Sequence, residues 1–269
     1  LKNKKLISTN FFWGIHIAYG LASRQDIMKT KLIIYHLHHI PKLEEFSKDF
    51  SNYYVLSTIK DPRNAIISWI EHWKNYDIYN YMPHRFYQRL KRLFIESESI
   101  FTFTSNVKVL KLEDLHLNTL EVLNEVCRIF SIKFEKSMLY STIKGKLWWG
   151  DILSQKYLQG FNSNIDKKRW IGKLSSIDIL VIEYLLEKRF IKYDYILENN
   201  VNSSLYRIIV PFLILLPNKW DIIILGKAIK KKDFRMVLEW FYYLFKRQKL
   251  MYKKFISTIF KTKLPVQNF

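Results

Sequence analysis

The chain has 269 residues, a formal net charge of +20, 49% hydrophobic residues and 16% aromatic residues. That composition supports a packed core and excludes a disordered chain, and the length fits one large domain or one domain with an appendage. The single cysteine, Cys127, excludes an internal disulfide; no Cys/His cluster has zinc spacing, and no stretch is long and apolar enough for a membrane span. The charge calls for anionic partners: a phosphorylated nucleotide, an acidic glycan, lipid headgroups or nucleic acid. Nucleic acid is the least favoured of these, because no recognised reading motif accompanies the charge.

Residues 1–30 open with a basic start, and Phe11, Phe12, Trp13, Ile15, Ile17 and Leu21 then predict a partly buried helix. Lys31 to Tyr35 has the composition of a short buried strand, and it runs into His36-Leu37-His38-His39-Ile40-Pro41. Leu43 to Phe50 predicts a short helix. Tyr53 to Ile59 is an apolar, β-branched run with the character of a strand. It enters a turn, Lys60-Asp61-Pro62-Arg63-Asn64, after which Ile66, Ile67, Ile70 and Trp73 follow a helical period. Asp61 suits the N-cap, and Pro62 suits the first helical position, where a missing N–H costs nothing. Lys60 and Arg63 therefore stand beside a helix N-terminus, whose free N–H groups favour an anion, and Ser68 lies about two turns further on.

Between Tyr76 and Arg92 aromatic residues mix with Arg85, Arg89, Lys91 and Arg92. They suit either a groove for a sugar or polyanion or the solvated face of a helix. Val107 to Leu112 alternates apolar and basic residues as a strand does. A helix follows, with Leu120, Val122, Leu123, Val126, Ile129 and Phe130 at helical spacing; Glu113 and Asp114 before it are expected to orient backbone and cap the helix. In residues 137–150, Gly145 and Gly150 bracket Trp148 and Trp149, which suit a loop over a ligand or plain packing. A basic segment, Lys167-Lys168-Arg169-Trp170-Ile171-Gly172-Lys173-Leu174, precedes a helix in which Ser175 is the expected N-cap and Asp178 completes a capping box. That helix ends before Tyr193-Asp194-Tyr195. From residue 205 onward lysines and arginines interleave with aromatics, and Pro211 and Pro217 interrupt the first apolar run. Amphipathic helices lying on an anionic membrane fit this pattern, and so do helices packed on the core.

The 60–68 segment resembles the 3′-phosphate-binding segment of sulfotransferases that use 3′-phosphoadenosine-5′-phosphosulfate (PAPS), in which a strand ends in an R-D-P-R-D-like turn and a Ser follows. Lys60 stands in the Arg position, keeping the charge without the planar fork. His39-Ile40-Pro41 is similar to the family's K-T-H-L-P-like strand end, which by the position of Pro41 implies His39 as the general base for an acceptor hydroxyl, with His38, one residue away, as the alternative; Leu37 replaces the family Lys. Leu112-Glu113-Asp114-Leu115 resembles the family's Y-E-D-L, and residues 137–150 resemble a segment of bacterial members with a T-x-x-G-K-x-W-x-G pattern. The 167–174 segment is similar to the family's basic loop over the 3′-phosphate, which implies Lys168, Arg169 and Lys173 as candidate contacts.

The resemblance covers residues 39–195 and implies an α/β, P-loop NTPase-like three-layer fold with a central parallel sheet. Residues 1–200 would form the sulfotransferase-like domain and 201–269 a basic helical extension. It also implies sulfuryl transfer from PAPS, without a metal, to a hydroxyl acceptor, expected to be a glycan or glycolipid, with Lys60, Arg63, Ser68, Lys168, Arg169 and Lys173 at the nucleotide and His39 as base. The family's P-K-S-G-T-T-W-like phosphosulfate loop is not present, so the chain reads as an N-terminally truncated member. The alternative is a non-catalytic remnant of that ancestry, or a basic protein that binds a membrane surface or polyanion. With no signal peptide visible, the expected location is cytoplasmic, with peripheral contact at the inner face of the membrane through residues 205–260.

Overall fold

The computed structural model describes residues 8–36, 42–50, 53–74, 84–100, 107–143, 146–147, 160–162, 168–199, 203–213 and 216–260. Ser8–Ala22 forms helix α1 and Lys42–Asp49 forms α2. Phe12 of α1 packs edge-on against Phe46 and Phe50 of the α2 region, whereas Phe11, Trp13, Ile15, Ile17 and Leu21 are exposed. The strand expected at 31–35 is not formed. Its backbone is irregular, and Leu32, Ile34 and Tyr35 are exposed. A strand's N–H and C=O groups need a neighbouring strand, and among the described residues none pairs with this segment.

Val55–Ile59 is β1, Pro62–Lys74 is α3, His84–Ile100 is α4 and Val107–Lys111 is β2. The two strands pair in parallel, from Val55 opposite Val107 to Ile59 opposite Lys111, and the path between them runs through α3 and α4. Such a crossover is what a parallel pair requires. It leaves Lys60 and Lys111 at adjacent strand ends on the carboxyl side, where ligands bind in open α/β sheets. The described residues are mostly helical around this small parallel sheet, an α/β arrangement.

Leu112–Leu117 (α5) and Thr119–Ile129 (α6) follow β2, and Cys127 is buried as its apolar pattern suggested. Thr142–Ile143 (β3) and Lys146–Leu147 (β4) pair antiparallel; Gly145, Trp148, Trp149 and Gly150 lie outside the described residues. Ser176–Leu185 is α7 and Glu187–Lys192 is α8. The capping box is present, with Ser175 Oγ accepting from Asp178 N–H and the Asp178 carboxylate accepting from Ser175 N–H. Ser204–Leu213 is α9, Lys219–Lys230 is α10 and Phe234–Phe260 is α11. Pro211 was expected to interrupt the run but sits inside α9.

The core crosses the boundary expected near residue 200. Ile66, Ile67, Leu90, Leu93, Ile182, Leu185 and Phe190 form one buried cluster with Val210 of α9 and Leu250 and Met251 of α11. Arg247 and Lys254, expected on a basic surface, turn inward. Arg247 pairs with Asp221 at 2.6 Å and Lys254 with Glu187 at 3.6 Å. The C-terminal helices thus pack on the core, one of the two arrangements left open by the sequence.

Candidate functional site

The turn after β1 is built as the sequence suggested and used differently. Asp61 caps α3: its Oδ1 accepts from Arg63 N–H at 2.8 Å, and its carbonyl accepts from Ala65 N–H at 2.8 Å. A carboxylate of the chain itself therefore fills the anion position at this helix N-terminus. Glu113 holds the turn from the neighbouring strand end, accepting from Asp61 N–H at 2.9 Å and from the Tyr195 hydroxyl at 3.1 Å. That is the backbone-orienting role its position implied.

Arg63, expected at the nucleotide, points into the core. Its Nη2 donates to Asp61 Oδ2 at 2.6 Å and to Ile196 O at 2.9 Å, and its Nη1 donates to Glu183 Oε1 at 2.7 Å. The guanidinium carbon lies 4.3 Å from the Trp170 ring centroid and 4.9 Å from that of Phe190. Glu183, fully buried, also accepts from the N–H groups of Glu198 and Asn199 and from Asn199 Nδ2. Arg63 is thus a fully satisfied buried fork that ties α3, α7, the 168–173 turn and the chain after α8 together.

Lys60 is placed otherwise. It is only partly exposed, and among the described residues no hydrogen bond or ion pair holds it. Burial, then the nearby charges of Arg89 and Arg169, bring its pKa down to about 8, against the weaker opposing pull of Glu113 and Glu71. Burial lowers the pKa of Arg89 of α4, as do the charges of Arg92 and of Arg189 of α8, against the opposing pull of Glu96; burial likewise lowers that of Arg189, against Glu96 and Glu113. Arg189 is 4% exposed, and its Nε and Nη1 are buried without a hydrogen-bond partner, as is Nε of Arg89. The hydroxyl of Tyr193, close to Arg189, is likewise buried and unpartnered. Unpaired buried donors are costly, so these groups form a cationic cluster, partly countered by the Glu96 carboxylate, whose free donors an anion would satisfy.

Other expected contacts lie near Lys60. Ser68 and Glu71 are three residues apart on α3 and share a face. Glu71 receives Lys173 Nζ at 2.5 Å and also pairs with Arg169, while Lys168 pairs with Glu198 at 3.6 Å. The 168–173 turn is therefore brought to the Ser68 face, with Arg169 felt at Lys60 and its charge shared with Glu71. These pairs are partly solvent-exposed, where an ion pair contributes little to stability. His39 lies outside the described residues. Arg189 is the member that the sequence did not single out. The segment Glu187-Lys188-Arg189-Phe190-Ile191-Lys192 carries several charges, and only packing distinguishes the buried one.

Among the described residues no group of His, Cys, Asp and Glu is placed to hold a metal ion. Comparison with protein-family models gives no match, and comparisons with curated proteins and with solved structures give none either.

Proposed function

We propose that the protein binds the 3′-phosphate end of a phosphorylated adenosine nucleotide at the carboxyl edge of β1 and β2 and serves PAPS-dependent sulfuryl transfer to a hydroxyl, with a glycan or glycolipid as acceptor. The observation that carries this reading is the cationic surroundings of Lys60 at the strand end, with Arg89 and Arg169 acting on it and Arg189 acting on Arg89, together with the buried donors of Arg89 and Arg189 left unpaired. A phosphate monoester is a dianion at neutral pH and offers acceptor oxygens to several donors at once. Ser68 and the 168–173 turn border the same cations, in keeping with the roles that the resemblance assigns them. In the transfer itself the acceptor oxygen would attack sulfur, the bond from sulfur to the bridging phosphate oxygen would break, and His39 would take the hydroxyl proton. Stabilising the departing oxygen belongs to the family's phosphosulfate loop, which this sequence does not contain, so binding rather than turnover is the primary test.

Adenosine 3′,5′-bisphosphate is the probe. At a hundredfold excess over its Kd it should raise Tm by roughly 5 °C, and Lys60→Ala should remove most of the rise. An equal rise in the variant would overturn the site. An equal rise with inorganic phosphate alone would leave an anion site without nucleotide selectivity, which favours a polyanion binder over a transferase.

A further inference from the structure

Helix α11 carries apolar side chains on both its inward and its outward face. Its charged residues Arg247 and Lys254 face inward, together with Trp240, Leu250 and Met251. Its outward face carries Phe234, Leu238, Phe241, Phe245, Tyr252 and Ile256, whose spacing keeps them in one stripe along the helix. Phe234 is 80% exposed, Leu238 71% and Phe245 65%. The stripe runs for about 33 Å at the helical rise per residue. The run from Phe234 to Phe245, resumed by Tyr252 and Ile256 beyond Gln248 and Lys249, is an interaction surface rather than scattered exposure.

The charge beside the stripe identifies what covers it. The turn from α10 into α11 exposes Lys230, Lys231 and Lys232 next to Phe234, and Arg235 and Lys249 are exposed along one flank. The acidic residues nearby are engaged: Asp233 caps α11 by accepting from Met236 N–H at 3.0 Å, and Glu239 pairs with Arg235 at 3.5 Å. A second copy of the chain would bring the same +20 charge against itself, which opposes association. Anionic lipid satisfies both halves of the surface, with acyl chains meeting the aromatic stripe and headgroups meeting the cations. Among the described residues no helix is long and apolar enough to cross a membrane, so the helix would lie in the plane of the interface. We propose that the outward face of α11, with the lysine turn before it, is a docking surface for an anionic membrane. This surface uses none of the pocket residues and stands independently of the nucleotide proposal.

The test is co-sedimentation of the full chain with phosphatidylcholine vesicles, with and without phosphatidylserine. Two double variants are compared with the unaltered chain: Phe241→Ser with Phe245→Ser, and Lys231→Glu with Lys232→Glu. Strong binding to phosphatidylserine vesicles is expected, falling with salt, weak on phosphatidylcholine alone, and reduced about tenfold or more in each variant. The altered side chains are exposed, so Tm should stay within a degree or two and rule out misfolding as the cause. Undiminished vesicle binding by both variants would overturn the proposal. So would a concentration-dependent dimer in sedimentation velocity that the Phe241→Ser, Phe245→Ser variant abolishes, since a second copy would then cover the stripe.

Discussion

Arg63 and Arg189 carry the same side chain and do opposite work. Every donor direction of Arg63 that the fold uses ends on a carboxylate or carbonyl, and the rings of Trp170 and Phe190 lie close to its guanidinium. Arg63→Ala would strand Glu183 in the core and should cost about 3–5 kcal/mol in chemical denaturation. Arg63→Lys should not rescue it, because one ammonium cannot bridge Asp61, Glu183 and Ile196 O together. Arg189 has buried nitrogens with no partner. Arg189→Met should therefore stabilise the ligand-free chain by about 1–3 kcal/mol while weakening phosphate binding. Loss of stability in that variant would make the guanidinium structural and remove it from the site. Lys60 adds a pH signature. Its folded pKa of about 8 lies below the ordinary lysine value of 10.5. Between those values the unfolded chain holds the proton and the folded chain does not, so Lys60 raises stability as pH climbs through that window. Below pH about 8 both states hold the proton, and the full penalty of the buried charge is present.

At the scale of elements, local chemistry was legible where a few adjacent residues decide the outcome. Asp61-Pro62 and Ser175 with Asp178 mark helix starts because capping is a short-range hydrogen bond, and both caps form. The strand from Tyr53 was legible as a strand, and β2 opposite it likewise, because both runs are apolar or alternating over their length. Lys31 to Tyr35 has similar composition and forms none, since a strand depends on a partner that its own residues do not encode. The inward turn of Arg63 escaped the sequence for the same reason. Its partners Glu183 and Ile196 lie more than a hundred residues away, so nothing near Arg63 distinguishes a core fork from a phosphate contact. Lys60 kept its place at a strand end because the strand and cap that position it are local.

For the whole molecule, the expected division at residue 200 separates pieces that share one core. Val210, Leu250 and Met251 pack with Ile66, Leu90 and Phe190, and Lys254 reaches Glu187. Truncation to residues 1–200 should therefore expose this cluster, giving a chain without a cooperative thermal transition; a sharp transition in the truncated chain would establish an independent domain. The +20 charge is likewise distributed with a purpose at this scale: buried cations at the strand ends, and exposed ones beside the α11 stripe.

The pocket at the strand ends is tested most directly by proton linkage. Adenosine 3′,5′-bisphosphate is titrated calorimetrically at pH 8 in buffers of different ionisation enthalpy, against the unaltered chain and Lys60→Met. The phosphate dianion should return the proton that burial drives from Lys60, giving uptake of about half a proton, and Lys60→Met should bind more weakly with little uptake. Binding of equal strength and equal proton uptake in both chains, or no binding to either, would contradict a nucleotide phosphate seated on Lys60.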